Sequence, residues 1–139
     1  MADTLTPMHV EIISPDGAIY KKDGVDMVIA RAHDGDFAVM KNHVPIAAAL
    51  QVCTLRIQFG DEEERMAVFG GFLDMKDNKV HILAPLAELA DDIDVARAQA
   101  AKKRAEERLA AKKADLDVER AKAALKRALV RLATKEAKF

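Results

Sequence analysis

The distribution of glycine and proline constrains this chain more than any other feature. All 6 glycines and all 4 prolines lie within the first 85 of the 139 residues, so residues 88–137 contain neither. Both residue types mark turns and interrupt helices, so a turn-rich region is expected first and uninterrupted helix after it. We therefore predict two parts, a β-rich domain over residues 1–87 and a helical domain over residues 88–139.

Short alternating segments separated by turn sequences predict a β-sandwich for the first part. Val25, Met27 and Ile29 are expected to share one face of a strand. The pair Gly70-Gly71 is expected to interrupt a strand, at a bulge or a close approach between backbones. Strands are predicted over residues 8–12, 18–22, 25–32, 37–40, 50–59, 65–69, 72–75 and 79–83.

Apolar residues at helical spacing predict two helices in the second part. Pro85 is expected to end the β region, after which Asp91 or Asp92 caps a helix that has Asp94 in its first turn. A phase slip in the apolar pattern predicts a turn near residues 112–117, with Asp115 or Asp117 as the next cap. The fold class is therefore α+β, an N-terminal antiparallel β-sandwich followed by a C-terminal antiparallel hairpin of two helices. The predicted seam residues are Ala98, Ala101, Ala105, Leu109, Val118, Ala121, Leu125, Ala128 and Leu132.

Charge is distributed unevenly along the chain. Residues 1–87 carry 8 basic and 13 acidic side chains, whereas residues 117–139 carry 7 basic and 3 acidic ones. An overall net charge of −1 argues against a general nucleic-acid binder, and the basic helical end favours acidic partners. A nucleic-acid-binding helical arm stays open as an alternative, although the low aromatic content of 4% offers few stacking platforms.

The sequence predicts no catalytic or metal centre. The single cysteine, Cys53, lies in an apolar run and is expected to be a buried structural thiol in a reducing compartment. No nucleophile with a neighbouring base is evident, and no histidine lies at metal-ligand spacing. No signal peptide is predicted, and the longest apolar run is far short of the roughly 20 residues of a membrane helix.

Arginines recur on both predicted helices. Arg97 and Arg104 are seven residues apart, and Arg127 and Arg131 are four apart, so each pair shares a helix face. A closed hairpin would bring these guanidiniums together as a polyphosphate site, because guanidinium matches phosphate oxygens bidentately. Glu88 and Asp94, at the junction with the β domain, would accept hydrogen bonds from a base amino group or a ribose. The alternative is an ordinary solvated basic face.

Six segments in order along nearly the whole chain form a specific pattern: VEIISPDG at 10–17, GDFAVMKNHVPI at 35–46, FGGFLD at 69–74, DNKVHILA at 77–84, DDIDVARA at 91–98 and AALKRALVRL at 123–132. Together they resemble the epsilon subunit of the F-type, rotary ATP synthase. Lys41 and Asn42 replace a proline and a glycine of the family pattern, and asparagine tolerates the positive φ that glycine provides.

The resemblance implies a non-catalytic central-stalk (rotor) subunit that needs no cofactor. The β-sandwich would dock on the gamma subunit and the c-ring, with Asp36 and His43 at the rotor interface. The helical arm would contact the alpha and beta subunits and restrain ATP hydrolysis when extended. Folded back, it would bind ATP as a regulatory ligand. The protein would lie at the cytoplasmic side of a bacterial cell membrane, held there only through the c-ring. The positions that match the family's ATP site are Glu88, Asp94, Arg97, Arg104, Arg127 and Arg131.

Overall fold

Eight strands, one 3-10 turn and two helices are formed by residues 6–138, the part of the chain that the computed structural model describes. The strands are β1 Met8–Ser14, β2 Gly17–Val25, β3 Met27–Ala32, β4 Gly35–Met40, β5 Ile46–Phe59, β6 Glu62–Lys76, β7 Lys79–Leu83 and β8 Ala87–Leu89. The 3-10 turn is Ala90–Asp92, and the helices are α1 Val95–Ala111 and α2 Val118–Glu136.

The strands form the predicted sandwich, and the helices form the predicted hairpin. The strand order is β2-β1-β7-β6-β5-β3-β4, with β8 also paired to β6. All these pairings are antiparallel except that of β1 with β7, which is parallel. Pro85 does not end the β region, because β8 follows it and pairs with residues 66–68, in the first half of β6.

The long strands β5 and β6 connect the two layers of the sandwich. The first part of β6 lies beside β8, and its last part lies beside β7. Gly70 and Gly71 do not interrupt β6, whose pairing with β5 keeps one register across them. A Cβ atom on Gly71 would collide with the carbonyl oxygen of Leu83, and φ is +124° there. The expected close backbone approach is therefore confirmed.

The core of the sandwich is apolar and includes Cys53, which is buried as predicted. Burial raises the pKa of the Cys53 thiol. Met27 and Ile29 lie on one face of β3 as predicted, but they are only partly covered, and Val25 of the predicted set belongs to β2. The buried residues of β3 are Val28 and Ala30. The backbone N–H of Asp26 donates to the carbonyl of Gln58, and the strand that starts after it turns its even-numbered residues inward.

Aspartate caps start both helices. The carboxylate of Asp94 accepts a hydrogen bond from the backbone N–H of Arg97 at 3.1 Å, so Asp94 is the cap of α1 and not a first-turn residue. Asp91 and Asp92 lie in the preceding 3-10 turn. Asp117 caps α2 in the same way, as one of the two predicted caps. The buried alanines of the seam are Ala98, Ala105, Ala121 and Ala128.

Helix α2 lies against the sandwich. Its residue Thr134 has no exposed surface and shares a hydrogen bond of 2.7 Å with the hydroxyl of Thr54 on β5. The guanidinium of Arg65 on β6 donates to the carbonyl of Thr134 at 2.9 Å. A buried polar side chain without a partner costs roughly 1–3 kcal/mol, so these bonds make the docked position specific. The hairpin is therefore folded back onto the sheet.

Candidate functional site

A cavity of 340 Å³ lies where β8, the 3-10 turn and the two helices meet. Five of the six predicted ATP-site residues line it. They come from β8, α1 and α2, and from the residue that caps α1. Its lining residues are Glu88, Asp92, Asp94, Arg97, Ala98, Ala101, Arg104 and Arg131.

Local structure explains why these side chains converge. Glu88 is fixed on β8 by pairing opposite Ala67 of β6. Asp94 caps α1, and Arg97 and Arg104 are almost two turns apart on one face of that helix. Arg131 reaches the cavity from α2, so the full lining forms only when the hairpin is folded back.

Arg131 is the most strongly held of the predicted arginines. Its guanidinium donates to both carboxylate oxygens of Glu88, at 2.8 to 3.1 Å. It also lies over the ring of Phe69, 4.5 Å from the ring centroid. Both charged side chains are about one-quarter exposed, so this pair is less screened than a surface salt bridge.

Arg97 and Arg104 have guanidiniums that make no ion pair or hydrogen bond within residues 6–138. The cavity therefore holds two arginines that are available to a ligand and one that is paired. Three carboxylates and three guanidiniums line the site, so it offers equal numbers of anionic hydrogen-bond acceptors and cationic hydrogen-bond donors. Such a lining suits a ligand that carries both phosphate oxygens and N–H or O–H donors.

Arg127 is not brought into this cavity. It lies one helical turn before Arg131 on α2, and its side chain is exposed. Spacing alone placed Arg127 and Arg131 on one face, but α2 turns Arg131 toward β8 and leaves Arg127 toward solvent.

Asp36 and His43, predicted at a rotor interface, lie at opposite ends of β4. Asp36 forms an ion pair with Arg31 at 2.6 Å, and this hydrogen bond holds the pKa of the Asp36 carboxyl below its usual range. His43 lies in the loop after β4, with Nδ1 2.7 Å from the carbonyl oxygen of Val44. Asn42 in that loop has φ +61°, the positive value expected for it.

Sequence reasoning missed two residues of the site. Asp92 lines the cavity, although the sequence suggested only a capping role for it. Phe69 supports Arg131 from the sheet, and its position depends on how α2 docks. Phe69 begins the segment FGGFLD, but no spacing rule connects it with a helix more than 60 residues later.

Within residues 6–138, neither helix combines the length and the apolar character that crossing a membrane requires.

Two family models match consecutive parts of the chain. The model described as "ATP synthase, Delta/Epsilon chain, beta-sandwich domain" matches residues 7–90, and "ATP synthase, Delta/Epsilon chain, long alpha-helix domain" matches residues 91–136. The ATP synthase epsilon chain of Anoxybacillus flavithermus is 48% identical over 105 residues, which cover 76% of this chain and 78% of the relative. That of Priestia megaterium is 47% identical over 105 residues, with the same coverage.

Solved structures share the fold at low sequence identity. A chain in the mitochondrial ATP synthase of Euglena gracilis (OSCP/F1/c-ring) superposes with a TM-score of 0.80 and 17% identity, covering 99% of this chain and 85% of that one. A chain in the central stalk/c-ring of the Tetrahymena thermophila mitochondrial ATP synthase gives a TM-score of 0.61 and 15% identity, with 99% and 100% covered.

Proposed function

The chain belongs to the delta/epsilon chain family of ATP synthase, and on this basis we propose that it is a non-catalytic central-stalk subunit whose helical hairpin senses ATP and restrains ATP hydrolysis. The observation that carries the proposal is the cavity between the sandwich and the hairpin. Glu88 belongs to the sheet and Arg131 to the second helix, so both line one cavity only in the folded-back arrangement.

A ligand that binds this cavity would stabilise the folded-back hairpin. Binding to one of two conformations shifts the equilibrium toward it, by about 2.7 kcal/mol when the ligand is at 100 times its dissociation constant. High ATP would therefore hold the hairpin on the sandwich, and low ATP would release it toward the alpha and beta subunits of the catalytic head.

ATP fits the lining by charge and by hydrogen-bonding capacity. Arg97 and Arg104 offer unpaired guanidiniums to the phosphates, and Arg131 can exchange part of its bond to Glu88 for phosphate oxygens. Arg127, one turn away and exposed, is assigned to the end of the polyphosphate. Glu88 and Asp94 accept hydrogen bonds from the base amino group or the ribose.

Titration calorimetry of ATP into the full chain tests the site. Arg97→Gln and Arg131→Gln should each weaken binding at least about tenfold, because each removes a charge-assisted contact. Lys122→Gln is the matched control, since Lys122 is exposed on α2 and lies outside the cavity lining. Equal weakening in all three variants, or no heat at millimolar ATP, would refute the ATP site.

Two exposed apolar surfaces suit the proposed docking on the stalk and the membrane ring. Phe72 and Leu83 are paired neighbours on β6 and β7 and are 43% and 54% exposed, a surface that we assign to the gamma subunit. Val44, in the loop with His43, is 70% exposed and is assigned to the c-ring. Contact with the ring would hold the protein at the cytoplasmic side of a bacterial membrane.

Hydrolysis assays on the reconstituted catalytic complex test the restraint. A chain that ends at Ile93 lacks both helices, and it should raise ATP hydrolysis at low ATP if the hairpin is the inhibitory element. Binding of the shortened chain to the complex must be checked in the same preparation. Unchanged hydrolysis by a complex that contains the shortened chain would show that the hairpin does not inhibit.

A further inference from the structure

The two helices carry arginines with the same spacing. Arg97, Arg104 and Arg108 follow one another at intervals of seven and four on α1, and so form one stripe along its surface. On α2 the same intervals separate Arg120, Arg127 and Arg131. Because the helices are antiparallel, Arg131 lies near the Arg97 end of the hairpin and Arg120 lies near the Arg108 end.

A second cavity, of 700 Å³, lies at the turn of the hairpin. We call it the tip cavity. Arg104 lines both cavities, so the two share one side chain. Its lining residues are Arg104, Glu107, Arg108, Ala111, Lys113, Asp115, Leu116, Asp117, Arg120 and Ala121.

The three arginines of the tip cavity lack acidic partners. Within residues 6–138, the guanidiniums of Arg104, Arg108 and Arg120 make no ion pair and no hydrogen bond. Arg104 and Arg108 are four residues apart on one helix, where like charges repel by roughly 0.2–0.5 kcal/mol, and Arg120 adds a third charge from the facing helix. A bound anion would relieve this repulsion.

The tip cavity keeps a net positive charge although acidic residues also line it. Glu107, Asp115 and Asp117 also line it, against three arginines and Lys113. The carboxylate of Asp117 already accepts from the backbone N–H of Arg120 as the cap of α2. The helix end itself is therefore occupied, and the guanidiniums are the groups left to bind a ligand.

We propose that the tip cavity is a second phosphate-binding site, which takes an inorganic polyphosphate. Guanidinium recognises phosphate oxygens bidentately, and the cavity lets three guanidiniums reach one chain of phosphates. Because α1 and α2 both contribute, an occupied tip cavity clamps the two helices together near their turn. This site does not depend on ATP binding in the first cavity.

Calorimetric titration of tripolyphosphate into the full chain at about 0.15 M salt tests the proposal, since that salt screens diffuse attraction. The double variant Arg108→Gln/Arg120→Gln should bind at least about tenfold more weakly. Lys103→Gln/Lys122→Gln removes the same charge from exposed positions outside both cavities and should bind within about twofold of the native chain. Circular dichroism checks that both double variants keep their helices.

The outcomes separate the two sites. Tripolyphosphate binding that survives Arg131→Gln, while ATP binding is lost, supports two distinct sites. Three results would each overturn the tip site: equal weakening by the two double variants, loss of tripolyphosphate binding in Arg131→Gln, or no binding at millimolar tripolyphosphate. ATP that fails to bind while tripolyphosphate binds through Arg108 and Arg120 would refute the ATP site alone.

Discussion

The guanidinium of Arg131 lies over the ring of Phe69 with 4.5 Å between Cζ and the ring centroid. The same guanidinium binds Glu88 through three hydrogen bonds at 2.8 to 3.1 Å. Phe69 is on β6 and Glu88 on β8, so one side chain of α2 is held by two neighbouring strands. Arg131 therefore links the docking of the hairpin to the geometry of the cavity.

Phe69→Leu should weaken the docking of α2. Leucine keeps apolar contact but removes the ring that attracts the guanidinium, a loss of roughly 0.5–2 kcal/mol. Urea unfolding measures the change in the free energy of unfolding. Phe72→Leu is the matched control, because Phe72 is an exposed phenylalanine of the same strand. An equal effect in the two variants would show that the stacking on Arg131 contributes nothing specific.

Thr54 and Thr134 should behave as a coupled pair. Either Thr→Val change leaves a hydroxyl without its partner, that of the buried Thr134 or that of the half-buried Thr54, at a cost of up to roughly 1–3 kcal/mol. The double change removes both hydroxyls at similar shape and should cost less than the sum. Hydrogen exchange of the α2 amides and urea unfolding complete the double-mutant cycle. Additive single and double effects would mean that this hydrogen bond does not anchor the helix.

Gly71→Ala should destabilise the sandwich by more than about 2 kcal/mol, because a positive φ and a collision with the carbonyl of Leu83 act together. Gly60→Ala is the control, since Gly60 also has a positive φ, of +58°, but faces open space. Its expected cost is about 1 kcal/mol. Thermal unfolding of both variants compares the two, and similar melting temperatures would contradict the predicted collision.

The ion pair of Arg56 with Glu63 should make stability depend on acid pH. Burial raises the pKa of the Glu63 carboxyl, but hydrogen bonds from Arg56 and Gln58 outweigh burial and lower it overall. A lowered pKa in the folded state gives stability that is present above the unfolded pKa of about 4.3 and is lost as pH falls through the folded value.

Glu63→Gln should therefore lower the free energy of unfolding at neutral pH by about 0.5–1 kcal/mol, a modest amount because the pair is partly exposed. The variant should also lose the part of the pH dependence that comes from the titration of Glu63. Urea unfolding between about pH 3 and 7 checks the difference between the variant and the native chain. Glu62→Gln, at an exposed neighbouring position, serves as the control. A parallel pH profile for Glu63→Gln and the native chain would rule out the proposed linkage.

The fold class could be predicted because glycine, proline and alternation act locally. Turn residues set the strands apart, and the phase slip located the hairpin turn before α2 begins at Val118. The buried face of β3 could not be assigned in the same way, since Met27, Val28, Ile29 and Ala30 are all apolar and either phase of the strand suits them. The observed phase accompanies pairing with β5, where the N–H of Asp26 donates to the carbonyl of Gln58, and this contact joins residues far apart in the sequence.

The site was predicted where helical spacing or the family pattern carried the information. Arg97 and Arg104 follow from their interval of seven, and Glu88 and Asp94 match a known pattern. Phe69 and Thr134 could not be found from spacing, because their roles arise when α2 docks on the sheet. Arg127 lies outside the cavity lining although its spacing placed it on one face with Arg131, so its part in the site stays a prediction.

The parallel pairing of β1 with β7 has a consequence for folding on the ribosome. Val10 pairs with Val80, so β1 waits for about 70 further residues before one of its edges is covered. Contacts between such distant residues slow folding, and an uncovered edge invites pairing with other chains. Newly made chains that stop before Lys79 are therefore expected to aggregate, and chains that extend past Leu83 are expected to be protected, whether or not the helices have been made.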